Sequence, residues 1–162
     1  MRHVISVIVE NKPGVLTRVS GLFSRRGYNI ESLTVGTTEN PNLSRMTIVV
    51  EGDQSILEQI EKQLYKLVDT LKVIDLPHAT SVSRELVLVK VCSDKNNRSE
   101  IIQTADIFRG KIVDVGESTL TIEVTGEEGK LGAFINLMSK FGIKELVRTG
   151  KIALHRGERT II

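Results

Sequence analysis

The sequence predicts an α+β chain of two tandem βαββαβ units, each an antiparallel sheet carrying both helices on one face. Three observations predict it. Short β-branched runs alternate with amphipathic helical patterns in the order β-α-β-β-α-β. The same order returns after roughly eighty residues, too long a period for a solenoid. The chain has 162 residues, room for one domain or two compact ones of about eighty.

Val4 to Val9 is a β-branched run with almost no polar interruption, the pattern of a strand buried on both faces or nearly so. Asn11-Lys12-Pro13-Gly14 breaks it, and Pro13 suits the first turn of a helix because it has no N–H to leave unpaired there. Val15, Leu16, Val19, Leu22 and Phe23 then fall on one helical face. Arg25 and Arg26 sit where cations favour the end of the helix dipole, and Gly27 can take the left-handed conformation that stops it. Tyr28 to Val35 is a second strand, Asn40-Pro41-Asn42 a turn, and Met46, Ile48 and Val50 alternate along a third strand. Asp53 can cap a second helix with the face Ile56, Ile60, Leu64, Leu67 and Val68. Leu71 to Leu76 is a fourth strand, stopped by Pro77, and the polar stretch from Pro77 to Ser83 reads as a linker.

The plan then recurs in pattern, without residue identity. Leu86 to Val91 is a strand. Ser99 is placed to cap a helix with Ile101, Ala105 and Phe108 on its apolar face, closed by Gly110. Ile112 to Val115 is followed by a turn at Gly116 and by Leu120, Ile122 and Val124 in alternation. Leu131, Phe134, Ile135, Met138 and Phe141 line the next helix, ended by Gly142, and Glu127-Glu128 places carboxylates at its start. Ile143 to Val147 begins a last strand that would continue, kinked at Gly150, through Ile152 to Leu154. Two ferredoxin-like units follow, over residues 1–77 and 84–162. Such a unit leaves one sheet face and the sheet edges uncovered around a modest core, so self-association is a physical expectation.

Composition narrows the function. Net charge is +2 with pI ≈ 8.7, too balanced for a dedicated nucleic-acid binder. With no Trp and 4% aromatic residues, a base-stacking platform is not expected. No apolar run approaches the ~20 residues that span a bilayer, so no membrane partner is expected. The N-terminus enters a strand at once without a leader pattern, and Cys92 is the single cysteine. Both point to a reduced, cytoplasmic protein. His3, His78 and His155 have no ligand-type residue at metal spacing, and nucleophile-elbow, P-loop and dinucleotide motifs are absent. No catalytic residue and no metal site is therefore expected.

One segment carries a chemical suggestion. Asn11-Lys12-Pro13-Gly14-Val15-Leu16 joins a buried strand to a helix start, where N–H groups without internal acceptors face the positive end of the dipole. A carboxylate can occupy that position, and Gly14 lets it approach the backbone. The Asn11 amide can accept from an ammonium group or donate to a carboxylate. Val15 and Leu16 can bound a slot for a short alkyl chain. Together these features describe a free branched amino acid, although a Pro-Gly helix start is also common with no ligand at all.

The run Asn11 to Leu16, followed by Phe23-Ser24-Arg25-Arg26-Gly27-Tyr28-Asn29-Ile30-Glu31-Ser32-Leu33, resembles the small regulatory subunit family of acetolactate synthase (acetohydroxyacid synthase). So does the tail, Val147-Arg148-Thr149-Gly150-Lys151-Ile152-Ala153-Leu154. The first unit resembles an ACT domain. The resemblance implies a subunit with no chemistry of its own. Its partner would be a large catalytic subunit holding thiamine diphosphate, Mg²⁺ and FAD, which condenses two pyruvates, or pyruvate with 2-oxobutyrate, releasing CO₂. The small subunit would raise that activity and confer feedback inhibition by valine, less so by leucine or isoleucine. It also implies ACT domains paired side by side as a homodimer. The effector would lie between Asn11, Lys12, Pro13, Gly14, Val15 and Leu16 of one chain and Asn29 and Ile30 of the other. A stand-alone amino-acid-responsive regulator and a small ferredoxin-fold hydrolase are the competing readings; they lack, respectively, a DNA-reading element and a phosphate loop with a positioned Arg.

Overall fold

A computed structural model describes all residues, 1–162. Contacts divide the chain into two units, one of residues 1–83 with 151–162 and one of residues 84–150.

The first unit contains β1 (Arg2–Glu10), α1 (Val15–Arg26), β2 (Ile30–Thr37), β3 (Leu43–Glu51), α2 (Gln54–Tyr65) and β4 (Thr70–Asp75). Its sheet order is β2-β3-β1-β4, antiparallel throughout. Alternation along β1 sends Ile5, Val7 and Val9 toward the helices, where they meet Val19, Phe23, Ile60 and Leu64. Cross-strand register keeps the faces consistent: Val7 lies opposite Met46 and Ile5 opposite Ile48 on the helix side. Val4 lies opposite Val49, Ser6 opposite Thr47 and Ile8 opposite Arg45 on the other side.

The second unit repeats the plan with β5 (Ser81–Cys92), α3 (Arg98–Ile107), β6 (Lys111–Val115), β7 (Thr119–Gly126), α4 (Glu128–Ser139) and β8 (Ile143–Arg148). Its order, β6-β7-β5-β8, is that of the first sheet. Val87, Val89, Val91, Ile122, Phe134 and Met138 are central to its core. These are two ferredoxin-like units with the helices of each on one face of its sheet.

Local differences from the sequence expectation have identifiable causes. Pro13 lies before α1 rather than in its first turn; Gly14, with φ +84°, is the residue that enters the helix. Tyr28 still belongs to the end of α1, its N–H reaching Phe23 O at 3.0 Å beyond the left-handed Gly27, so β2 starts two residues later than expected. In α2, Asp53 does cap, accepting from Ile56 N at 2.9 Å, but Leu57 is buried with Ile60 and Leu64, while Val68 lies beyond the helix and exposed. Asn97, not Ser99, precedes α3, fixed in a turn in which Asp94 Oδ1 accepts from Asn96 N and Asn97 N. The left-handed residue after α3 is Arg109, with φ +56°, and not Gly110. Gly110 is required for packing: a Cβ there would stand 2.9 Å from Val124 Cγ2.

The C-terminal segment differs most. The expected linker contains a short 3-10 turn (His78–Thr80), and its last residues, from Ser81, begin β5. β9 (Ile152–His155) does not extend β8; it pairs with β5, and Arg156 N donates to Thr80 O at 2.9 Å. Residues 151–162, expected in the second domain, pack with the first unit. There Arg45 Nη2 donates to Ala153 O at 2.9 Å and Lys151 N to Ser32 Oγ at 3.1 Å. The sheet face opposite the helices, expected to be bare, is thus partly roofed by the chain's own tail, and Ile8 and Val49 on it are buried.

Candidate functional site

The β1–α1 loop is held from below and from the side. At its start, Asn11 N donates to Asn42 O at 2.8 Å and Asn11 Nδ2 to Pro41 O at 2.9 Å, tying it to the β2–β3 turn. One of the two Asn11 Nδ2 hydrogens is thereby engaged, and Oδ1 accepts no hydrogen bond within the chain. Lys12 Nζ turns back to Glu10 Oε2 at 2.8 Å, and that hydrogen bond and charge raise the Lys12 pKa. Val15 is buried in the core, so of the two apolar residues at the helix start only Leu16, 46% exposed, offers a side chain to the outside.

The helix start itself is open. No side chain caps α1, and no acidic residue stands in its first turn. Val15 N has a long bond to Lys12 O, 3.4 Å, and the first regular helical bond runs from Arg18 N to Gly14 O at 3.0 Å. The N–H groups of Leu16 and Thr17 between them have no acceptor in the chain. α2 shows the contrast, since Asp53 occupies the equivalent position there.

Beneath the loop lies a pair that sequence reasoning missed. Arg18 donates from Nε and Nη2 to Asp69 Oδ2 at 2.7 and 2.6 Å. Asp69 is buried, and its carbonyl also accepts from Glu10 N at 2.9 Å. The remaining nitrogen, Nη1, would be 3.0 Å from a Cβ at Gly14. A guanidinium therefore flanks the glycine at the positive end of the helix. Residues 18 and 69 are far apart in the chain, and no local spacing announces their pairing.

Asn29 and Ile30 lie elsewhere. Ile30 is level with Val50 and hence with His3, while Thr37 is level with Ser44 and Val9. At ~3.3 Å per residue, the start of β2 is about 25 Å along the sheet from the Asn11–Leu16 loop. One chain does not bring the two halves of the expected site together. β2 is also an outermost strand, paired only with β3, with Val35 exposed on it.

No group of three or more His, Cys, Asp or Glu side chains is placed to hold a metal ion, and no helix is long and apolar enough to cross a membrane. What the loop offers chemically is recognition: paired N–H donors, a nearby guanidinium and an amide oxygen.

Sequence comparison places the class first. Residues 5–72 match the model of the AHAS small subunit-like ACT domain, so the first unit is an ACT-type domain. Residues 84–157 match the model described as small subunit of acetolactate synthase. A probable acetolactate synthase small subunit of Archaeoglobus fulgidus is 58% identical over 98% of this chain and 99% of its own length. The acetolactate synthase small subunit of Mycobacterium bovis is 50% identical over 98% and 95%. The crystal structure of the acetolactate synthase small subunit from Thermotoga maritima superposes with a TM-score of 0.92 at 46% identity, covering 98% of this chain and 99% of that one. The chain belongs to the acetolactate synthase small-subunit family.

Proposed function

We propose that this chain is the non-catalytic regulatory subunit of an acetolactate synthase, raising the activity of a large catalytic subunit and making it sensitive to valine. Thiamine diphosphate, Mg²⁺ and FAD would belong to that large subunit. The observation that carries the reading is the division of the site: an uncapped helix start at one end of the first sheet, Asn29 and Ile30 at the other, and a free β2 edge beside them.

Antiparallel pairing of β2 with β2 of a second copy would reverse one sheet against the other. The Ile30 end of each copy would then stand beside the Thr37 end of its mate, the end that carries the Asn11–Leu16 loop. The effector's carboxylate would take the N–H groups of Leu16 and Thr17, its ammonium Asn11 Oδ1, and its alkyl group the exposed side of Leu16. Asn29 and Ile30 of the second copy would close the site. A ligand shared by two chains stabilises their pairing by mass action. A difference in effector binding of about 1–3 kcal/mol between two states of the holoenzyme is enough for feedback.

The test mixes the purified chain with its large subunit and follows acetolactate formation with and without valine. Activation that valine reverses is expected; turnover by the isolated chain, or no effect on the large subunit, would refute the reading. Gly14→Asp tests the site. Its carboxylate would lie beside Arg18 where the effector's belongs, so activation should persist and valine inhibition should vanish. Inhibition of that variant at wild-type valine concentrations would remove the loop from the site.

A further inference from the structure

The outer face of the first sheet holds a cavity of about 310 Å³, between Ile8 and Arg45 of the sheet, Thr38 and Glu39 at the β2–β3 turn, and the returning C-terminal segment. Its walls divide chemically. Ile8 and Ile161 supply buried apolar surface, with Leu154 beside them, while Arg45, His155 and Arg159 supply polar groups.

Those polar groups are underused by the chain itself. Arg45 donates to Ala153 O and to no carboxylate, and Arg159 has no ion pair. Glu39 lies at the cavity without pairing to either guanidinium. Burial pushes the Arg45 pKa down, the mark of a cation removed from water without a counter-ion. His155 Nε2 is buried with no hydrogen-bond partner. Burial, then the charges of Arg159 and Arg45, lower the His155 pKa, so the ring is neutral at pH 7 and can present N–H at Nε2.

We propose that this cavity is a second small-molecule site, for a short aliphatic monocarboxylate. The carboxylate would lie between Arg45 and Arg159 and accept from His155 Nε2; the alkyl group would lie on Ile8 and Ile161. The volume is at the low end for ligand cavities, which favours a small molecule. The nearby carboxylate of Glu39 disfavours a dianion such as phosphate. Occupancy has a route to the effector loop, because the turn that supplies Thr38 and Glu39 also supplies the Pro41 and Asn42 carbonyls that hold Asn11. This site is separate from the one under Gly14, and its test is independent of it.

The experiment is an NMR titration of the full chain, with labelled Ile and Leu methyl groups and histidine ring nitrogens, using isobutyrate as the probe. Saturable shifts are expected at Ile8, Ile161 and the His155 ring, with half-saturation at about 1–10 mM. Arg159→Met should weaken binding about tenfold; this side chain is exposed and unpaired, so the fold should be unaffected. Arg45→Met should do the same. No saturable shift, an equal response to isobutylamine or inorganic phosphate, or unchanged affinity in both variants would overturn the proposal.

Discussion

Arg18 and Asp69 show how much a single buried contact can settle. Arg18 is partly exposed, but the carboxylate that it satisfies is 8% exposed at the side chain. Arg18→Met would leave that carboxylate without its two donors, and a loss of about 1–3 kcal/mol in urea denaturation is expected. The glycines separate two reasons for having no side chain. At Gly27, φ is +70° and nothing lies within 4 Å of a Cβ, so Gly27→Ala should cost about 1 kcal/mol, from left-handed strain alone. At Gly110 the space is filled, with Val124 Cγ2 at 2.9 Å and Ile122 Cγ2 at 3.2 Å, so Gly110→Ala should cost about 1–3 kcal/mol through overpacking. Thermal melts of the two variants check the order.

At the scale of elements, α1 and α2 are alike in length and differ at their starts. Asp53 closes α2, whereas α1 begins at a glycine with no cap and keeps its donors available. The packing of α2 has a pH signature. Burial, with smaller contributions from Asp75 and Glu58, raises the Glu61 pKa above 4.5. Between the unfolded and folded values the native state therefore holds a proton that the unfolded chain has released. The stabilisation is complete below about pH 4.5 and is lost as pH rises through the folded value. Glu61→Gln should remove this dependence. In urea melts the variant should gain on the wild type from about pH 4 to about pH 7, and a constant difference would contradict the assignment.

For the whole molecule, the notable feature is that its last residues pack on its first unit. Ala153 and Ile161 are buried there, and Ile8 and Val49 lie on the sheet face that this segment crosses. Truncation after Gly150 should lower stability by about 3 kcal/mol or more, from apolar burial alone, and should let the protein bind an apolar dye. A chain ending at residue 150 with an unchanged melting temperature would show the segment to be dispensable. The first unit is thus not the N-terminal stretch by itself, and a variant limited to residues 1–77 is expected to be less stable than the first unit in the full chain.

The amino-acid sequence by itself determined the two βαββαβ units, because periods of two and 3.6 are imposed by the local geometry of strand and helix. It also indicated a helix start within Asn11–Leu16 with unpaired N–H groups, while the structure set that start at Gly14 and left Pro13 outside the helix. Only the tertiary structure decided which residues meet across long separations: Arg18 with Asp69, Asn11 with Pro41, Arg45 with Ala153. It also decided that Asn29 and Ile30 stand at the far end of the sheet from the loop. The physical reason is common to all of these. A side chain's local pattern fixes which way it faces, but its partner is set by strand register and chain return, which no short window of sequence contains.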